Sequence, residues 1–215
     1  MIIAIDGSAA SGKGTLAKRI ARHFSLSYLD TGSLYRAVGL QLLSAGQDSH
    51  NIIEKQCIDV CYELDITLTT SPLIRSEKVA EMASVVAAMP LVRAALLDLQ
   101  RKFAAAPPDP NGAILDGRDI GTVVLPNADF KFFIDANICI RAERRTKELL
   151  QAGQSVMFQH VLEDLQARDI RDRSRSAAPL RPADDAIIID TSGMGADAVM
   201  NVAVSYIAAY SDSTS

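Results

Sequence analysis

The sequence predicts an α/β fold, a five-stranded parallel sheet with helices on both faces. Two observations lead there. Five short apolar runs are separated by longer stretches whose apolar residues recur every three or four positions. The runs are continuous rather than alternating, as strands covered on both faces require. The chain's 215 residues, 48% apolar and 22% charged, suffice for one domain with its own core and no metal or disulfide staple.

The first strand is Ile2 to Ile5, and Gly7 to Gly12 follows as a small-residue loop. From Gly14 to Phe24, Leu16, Ile20 and Phe24 share one helix face. Leu26 to Leu29 is a second strand ending at Asp30, and 33–46 is a helix that stops near Gly46. Ile52 to Leu64 reads as a helix, and Asp65-Ile66-Thr67-Leu68-Thr69 alternates like a strand. A long helix is expected from about Ser76 to Ala106, bent or interrupted at Pro90. Pro107 to Gly112 is a loop. Ala113-Ile114-Leu115 is a third strand, ending at Asp116, and Phe130 to Ile134 a fourth. Helices are expected over Ile138 to Gln151, ended by Gly153, and over Val156 to about Arg173. Ile187 to Ile189 is the fifth strand, and Ala196 to Tyr210 the last helix.

Charge is unevenly spread. The total is −4, but residues 1–36 sum to +3 and residues 141–175 to +2, while 37–140 and 176–215 sum to −5 and −4. An acidic whole does not suit a dedicated nucleic-acid or anionic-membrane binder. The N-terminal apolar run is too short for a signal-peptide core, and no stretch approaches the ~18 apolar residues of a membrane helix, so a cytoplasmic protein is expected. Cys57, Cys61 and Cys139 fit no zinc spacing and are expected to be buried thiols; no metal site is expected.

Strand, Gly7-Ser8-Ala9-Ala10-Ser11-Gly12-Lys13, helix is the pattern G-x-x-x-x-G-K in the context it needs. Glycines let successive N–H groups turn toward one anion, the helix adds its positive end, and Lys13 adds a mobile charge for β- and γ-phosphates. This is a P-loop. The usual motif places Ser or Thr directly after the Lys to hold Mg²⁺; here Gly14 stands there and Thr15 follows.

In a doubly wound sheet, ligands sit outside the carboxyl ends of the strands. Asp30-Thr31-Gly32-Ser33-Leu34-Tyr35-Arg36 follows the second strand and Asp116-Gly117-Arg118-Asp119 the third. The aspartates suit helix caps as well as a ligand. Arg36 and Arg118 gain nothing beside a cleft unless an anion fills it, which predicts a second phosphate-bearing substrate. Arg168, Arg171 and Arg175 are spaced for one helix face, and Arg141, Arg144 and Arg145 lie on the helix before. A solvated face laced by Asp169 and Asp172 would account for them too. The Gly153 break, where a mobile lid would hinge, favours phosphate contact.

These residues resemble the bacterial cytidylate kinases, a branch of the nucleoside monophosphate kinases, over nearly the whole chain. The likeness rests on Ile5-Asp6-Gly7 and the loop, on Leu29 to Arg36, on Asp116-Gly117-Arg118-Asp119-Ile120-Gly121-Thr122-Val123-Val124, on Arg168 to Arg175, and on Ala178-Pro179-Leu180. It implies γ-phosphoryl transfer from ATP to CMP or dCMP within a P-loop NTPase fold. It also implies an NMP-binding subdomain near 31–106, a lid near 152–176 and a monomer. Gly12-Lys13-Gly14-Thr15 is the spelling of these kinases, with Thr15 meeting phosphate and Mg²⁺, carried with ATP, left to the phosphates, water and Ser11. The resemblance puts Gly7 to Thr15 and Arg144 on ATP, and Lys13, Arg118, Arg171 and Arg175 at the transferring phosphate. Thr31, Arg36, Arg118 and Arg175 would hold CMP mainly at its phosphate, beside Asp30 and Asp116. Ser84, Arg93 and Asp119 would read cytosine, and Asp172 with Arg168 the ribose. Cytosine offers an amino donor at N4 and acceptors at N3 and O2; uracil reverses N3 and position 4, so one carboxylate–donor pair would reject it. The chain departs from many members between Thr69 and Arg75, where only Thr70 to Ile74 remain of a longer insert.

Other small P-loop kinases share the loop but not the Asp116 segment. A GTPase switch would need an Asn-Lys-x-Asp motif, which is missing.

Overall fold

The computed structural model describes residues 1–213 and divides them into two units: residues 1–29 with those from 107 onward, and residues 30–106. The first unit contains the sheet. Its strands are β1 (Ile2–Gly7), β2 (Ser27–Asp30), β3 (Ala113–Gly117), β4 (Phe130–Asp135) and β5 (Ile187–Asp190). All run parallel in the order β2-β3-β1-β4-β5. In the central strand, Ile5 is paired with Asp116 on one side and Phe132 on the other. Ile3, Ala4 and Ile5 are each 0% exposed although they point alternately to opposite faces, so both faces are covered.

Helix α1 (Lys13–Phe24) lays Leu16, Ala17 and Ile20 on Ile3, Ile5 and Ile114, and Val199, Ala203 and Ile207 of the final helix join the same cluster. Burying each such Ile or Leu contributes roughly 1.5–3 kcal/mol. Because Asp6 pairs with Gly117, β1 and β3 end side by side. The loops that follow them therefore leave the same edge of the sheet, which positions the site.

The second unit is helical: α2 (Thr31–Ser44), α3 (Glu54–Tyr62), α4 (Glu77–Val86) and α5 (Pro90–Ala105). α2 lies close on α4, because a Cβ on Gly39 would come within 3.2 Å of the Ala83 amide nitrogen. One expectation is corrected here. Asp65 to Thr69 is not a strand: the Asp65 carboxylate accepts from the Thr67 amide at 2.9 Å and caps a 3₁₀ turn over Ile66–Thr70. A second such turn, Pro72–Arg75, follows it. The interruption expected at Pro90 is present: two helices meet at 99°, with Pro90 in the first turn of the second, where its missing N–H costs nothing.

In the first unit, α6 (Ile138–Gln151) and α7 (Phe158–Ser174) flank Gly153, and α8 (Ala196–Ser213) closes the chain. Of the thiols only Cys57 is buried; Cys61 is half-buried and Cys139 is exposed near the start of α6, against the expectation of three core thiols. Among the described residues no single helix is long and apolar enough to cross a membrane.

Candidate active site

The phosphate loop is built by β1 and α1. Gly7 has φ +152°, and a Cβ there would stand 1.9 Å from the Ile134 carbonyl oxygen, so no other residue fits beside β4. Gly12, at φ +93°, caps α1 in the left-handed region, and Ala10 is left-handed at φ 60°. The loop curls so that Ser11 N–H meets the Ser8 carbonyl at 3.4 Å, and Lys13 Nζ lies 3.5 Å from that carbonyl. Ser8 and Ser11 are wholly buried, and neither hydroxyl has a hydrogen-bond partner among the described residues. At Gly14 a Cβ would sit 3.1 Å from Asp116 Oδ2. The absence of a side chain there lets the buried Asp116 carboxylate stand against the first turn of α1.

The arginines of α6 are tied to this loop. Arg141 is 2% exposed; its Nε donates to the Ala136 carbonyl at 2.9 Å, and Nη1 to the loop carbonyl of Ala9 at 3.2 Å. Its guanidinium also grips Asp169 of α7 through both carboxylate oxygens, at 3.0 and 2.5 Å. Arg141 is therefore a strut joining α6, the loop and α7, not an exposed phosphate ligand. Arg144 donates to the hydroxyl and carbonyl of Thr191, at 2.9 and 2.6 Å, and the Thr191 hydroxyl donates to the Ser11 carbonyl at 2.9 Å. A cavity of about 310 Å³ opens here, lined by Gly12, Thr15, Arg144, Thr191, Met194 and Gly195 among others. Arg145 pairs with Glu148 on its own helix at 3.0 Å.

Arg118 follows β3. Its Nε donates to Asp172 Oδ2 of α7 at 2.7 Å, and Nη1 to the Gly117 carbonyl at 3.2 Å. The expectation that Arg118 has nothing to gain without an anion is corrected, since Asp172 is its partner in the protein. Burial would raise the Asp172 carboxyl, but Arg118, Arg168 and Arg175 together hold it below the ordinary value. The same pair raises Arg118 against the effect of its burial. Arg168 and Arg171 are half-buried on α7, while Arg175 lies just past its end, with Nε donating to the Ala178 carbonyl at 2.7 Å. The three arginines are thus not on one helix. Asp119 is 5% exposed in the turn after β3. Beside it Asp6 of β1 accepts the Ile120 and Gly121 amides, each at 2.7 Å; burial nonetheless pushes its carboxyl up to about 6.

In the helical unit, Asp30 caps α2, accepting the Ser33 amide at 3.2 Å, as a capping aspartate should. Thr31 is buried in the first turn, and Arg36 Nη1 donates to the Ile74 carbonyl at 2.8 Å, so this arginine too has a protein partner. Arg93 of α5 lies over the Tyr35 ring, 5.9 Å from its centroid, and donates to the Ala87 carbonyl at 3.2 Å. Ser84 is buried on α4.

The sequence reading missed Thr191, Asp169, Tyr35 and Asp6 as site-builders. Thr191 stands in no motif; Asp169 and Tyr35 stand inside motif segments, but their partners Arg141 and Arg93 are remote in sequence. Asp6 had a signal in its place directly before the loop.

A family model described as "Cytidylate kinase" matches residues 3–209. A protein named cytidylate kinase from Methylocella silvestris is 51% identical over 213 residues, covering 99% of this chain and 96% of its own. One of that name from Rhodospirillum rubrum is 48% identical over the full length of both chains. Another, from Rhodopseudomonas palustris, is 49% identical and covers 97% of each chain. Among solved structures, an uncharacterized protein from Eubacterium ventriosum superposes with a TM-score of 0.51 at 15% identity, covering 96% of this chain and 98% of its own, a likeness of fold alone.

Proposed function

The chain belongs to the cytidylate kinase family, and from that premise we propose that it transfers the γ-phosphoryl group of ATP to CMP or dCMP, giving ADP and CDP or dCDP. The observation that carries the reading is the pairing, in one unit, of a formed phosphate loop with the Arg118–Asp172 couple at the neighbouring strand end. The acceptor phosphate is already an anion and needs no strong base, so the protein's task is to bring two polyanions together in line.

Gly7 to Thr15 hold the ATP phosphates, with the loop amides and the α1 N-terminus turned to them and Lys13 on the β- and γ-phosphates. Mg²⁺ enters with ATP as part of the substrate and neutralises polyphosphate charge. The Ser11 hydroxyl, buried and without a partner among the described residues, fits that unit. Arg144, held by Thr191, borders the cavity that suits the rest of the nucleotide. Thr31, Arg36, Arg118 and Arg175 take the CMP phosphate, next to Asp30 and Asp116. Ser84, Arg93 and Asp119 read cytosine, and Asp172 with Arg168 the ribose. Arg118, Arg171 and Arg175 neutralise charge on the moving phosphoryl group. Residues 31–106 serve as the NMP-binding part and 152–176 as a lid whose closure keeps water from the phosphoryl group. The reading includes a cytoplasmic monomer acting on small nucleotides.

The test is ADP release with CMP, dCMP, UMP and AMP as acceptors. Turnover with CMP and dCMP well above that with UMP and AMP is expected; preference for AMP or UMP would sink the assignment.

A further inference from the structure

Asp6 contributes no atom to the phosphate loop, yet it is the buried side chain that links that loop to the turn after β3. It precedes Gly7 directly and pairs with Gly117, so its backbone is fixed by the central strand. Its carboxylate reaches the turn alone. Oδ1 accepts the Ile120 N–H and Oδ2 the Gly121 N–H, both at 2.7 Å. These are the two peptide groups immediately after Asp119. They open the single wide helical turn Ile120–Val124, whose first amides have no partner within the turn. Asp6 therefore acts as a cap supplied from another strand. The approach is close at Gly121, where a Cβ would lie 3.2 Å from the Lys131 side chain and 3.4 Å from Asp6 Oδ2.

We propose that Asp6 is a positioning residue for the acceptor nucleotide: by gripping the two amides after Asp119 it holds Arg118 and Asp119 at a fixed place relative to the phosphate loop in which its own strand ends. The inference rests on the reading of Arg118 and Asp119 as acceptor-binding residues.

The charges around Asp6 are few. From the turn, Asp119 opposes its ionisation and Arg118 favours it. From β4, Lys131 packs its stem beside Gly121 but turns its ammonium to Asp185 and to the Pro126 carbonyl. The carboxyl, pushed up to about 6 chiefly by burial, therefore changes state within an ordinary assay range. Once protonated it keeps one good acceptor, and its O–H faces an N–H, so one of the two bonds is lost. The folded-state value lies above the ordinary 3.8, so this group's contribution to folding is full below 3.8 and is lost as pH rises through about 6. The grip on the turn moves the opposite way, failing as pH falls. Loss of fold and loss of positioning are thus separable by sign.

The experiment compares the full-length wild type with Asp6→Asn between pH 5 and 8, with ATP and CMP as substrates. Asn keeps the size and one acceptor but turns an N–H toward a backbone N–H. At pH 7.5 the variant should show a KM for CMP raised about tenfold, the effect of one charge-assisted hydrogen bond, with the KM for ATP changed less than about twofold. The wild-type KM for CMP should rise as pH falls through about 6. The variant should show only the shallower rise that titration of the substrate phosphates imposes on both proteins. Equal KM values for CMP, or parallel pH profiles, would overturn the proposal. Should Asp6→Asn fail to fold, the amide NMR signals of Ile120 and Gly121 in the free wild type decide: they must titrate with the midpoint of the KM step, and signals that stay still refute the grip. Wild type inactive toward CMP would remove the acceptor assignment, whereas the amide titration would still report on Asp6 itself.

Discussion

The two basic segments of this chain prepare for anions by different physical means. In the loop from Gly7 to Lys13 the backbone does most of the work: left-handed residues at Ala10 and Gly12 and a side-chain-free Gly7 make the curl, and one lysine supplies the charge. In the arginine-rich segment the charges sit on side chains, and two of the most buried arginines of the unit are already engaged with carboxylates there, Arg141 with Asp169 and Arg118 with Asp172. The first segment is a receptor that the fold itself creates. The second is a frame of ion pairs whose arginines differ in burial and in partners. A sum of charges treats both alike; burial and partners separate them.

That contrast can be broken by substitution. The largest effect should come from Lys13→Ala, which removes the loop's only side-chain charge: turnover should fall on the order of 10²–10³-fold, as for loss of one preorganised transition-state contact, while the melting temperature stays near that of the wild type. A steady-state ADP-release assay with a thermal melt checks both. Near-normal turnover would mean the loop is not the donor site. Next is Arg141→Ala. It should act on stability instead, because it strands Asp169 and leaves the Ala9 and Ala136 carbonyls unpaired. A loss of about 3–5 kcal/mol is expected in urea unfolding. A stable variant with a specific defect in ATP affinity would instead make Arg141 a ligand. The smallest effect belongs to Thr191→Val, which deletes the hydroxyl between Ser11 and Arg144 at nearly constant volume. About 1 kcal/mol should appear as a several-fold rise in KM for ATP with KM for CMP unchanged. An equal rise in both would show that Thr191 supports the unit as a whole.

Much of the fold was legible because its signals are local. Ile2 to Ile5 with Gly7 to Lys13 states a strand, a turn and a helix within about a dozen residues, and the structure has all three. The stretch from Asp65 misled because Ile66, Thr67 and Leu68 alternate with period two while the Asp65 carboxylate, reaching the Thr67 amide, favours a tight turn. The site was legible only as a set of residue types. Arg141 and Asp169 are 28 positions apart, Arg144 and Thr191 47, and Arg118 and Asp172 54. Periodicity along one helix cannot register partners that tertiary folding brings together, so a strut and a ligand look alike in the sequence.

Gly14 ties two distant words of the sequence into one. Its missing Cβ leaves only 3.1 Å to Asp116 Oδ2, so the commoner loop spelling, with Ser or Thr after the lysine, would press against a buried carboxylate. A side chain at 14 would require the Asp116 carboxylate to give way by a few tenths of an ångström. The loop spelling and the aspartate near the end of β3 are thereby coupled through one contact, although they lie about a hundred positions apart.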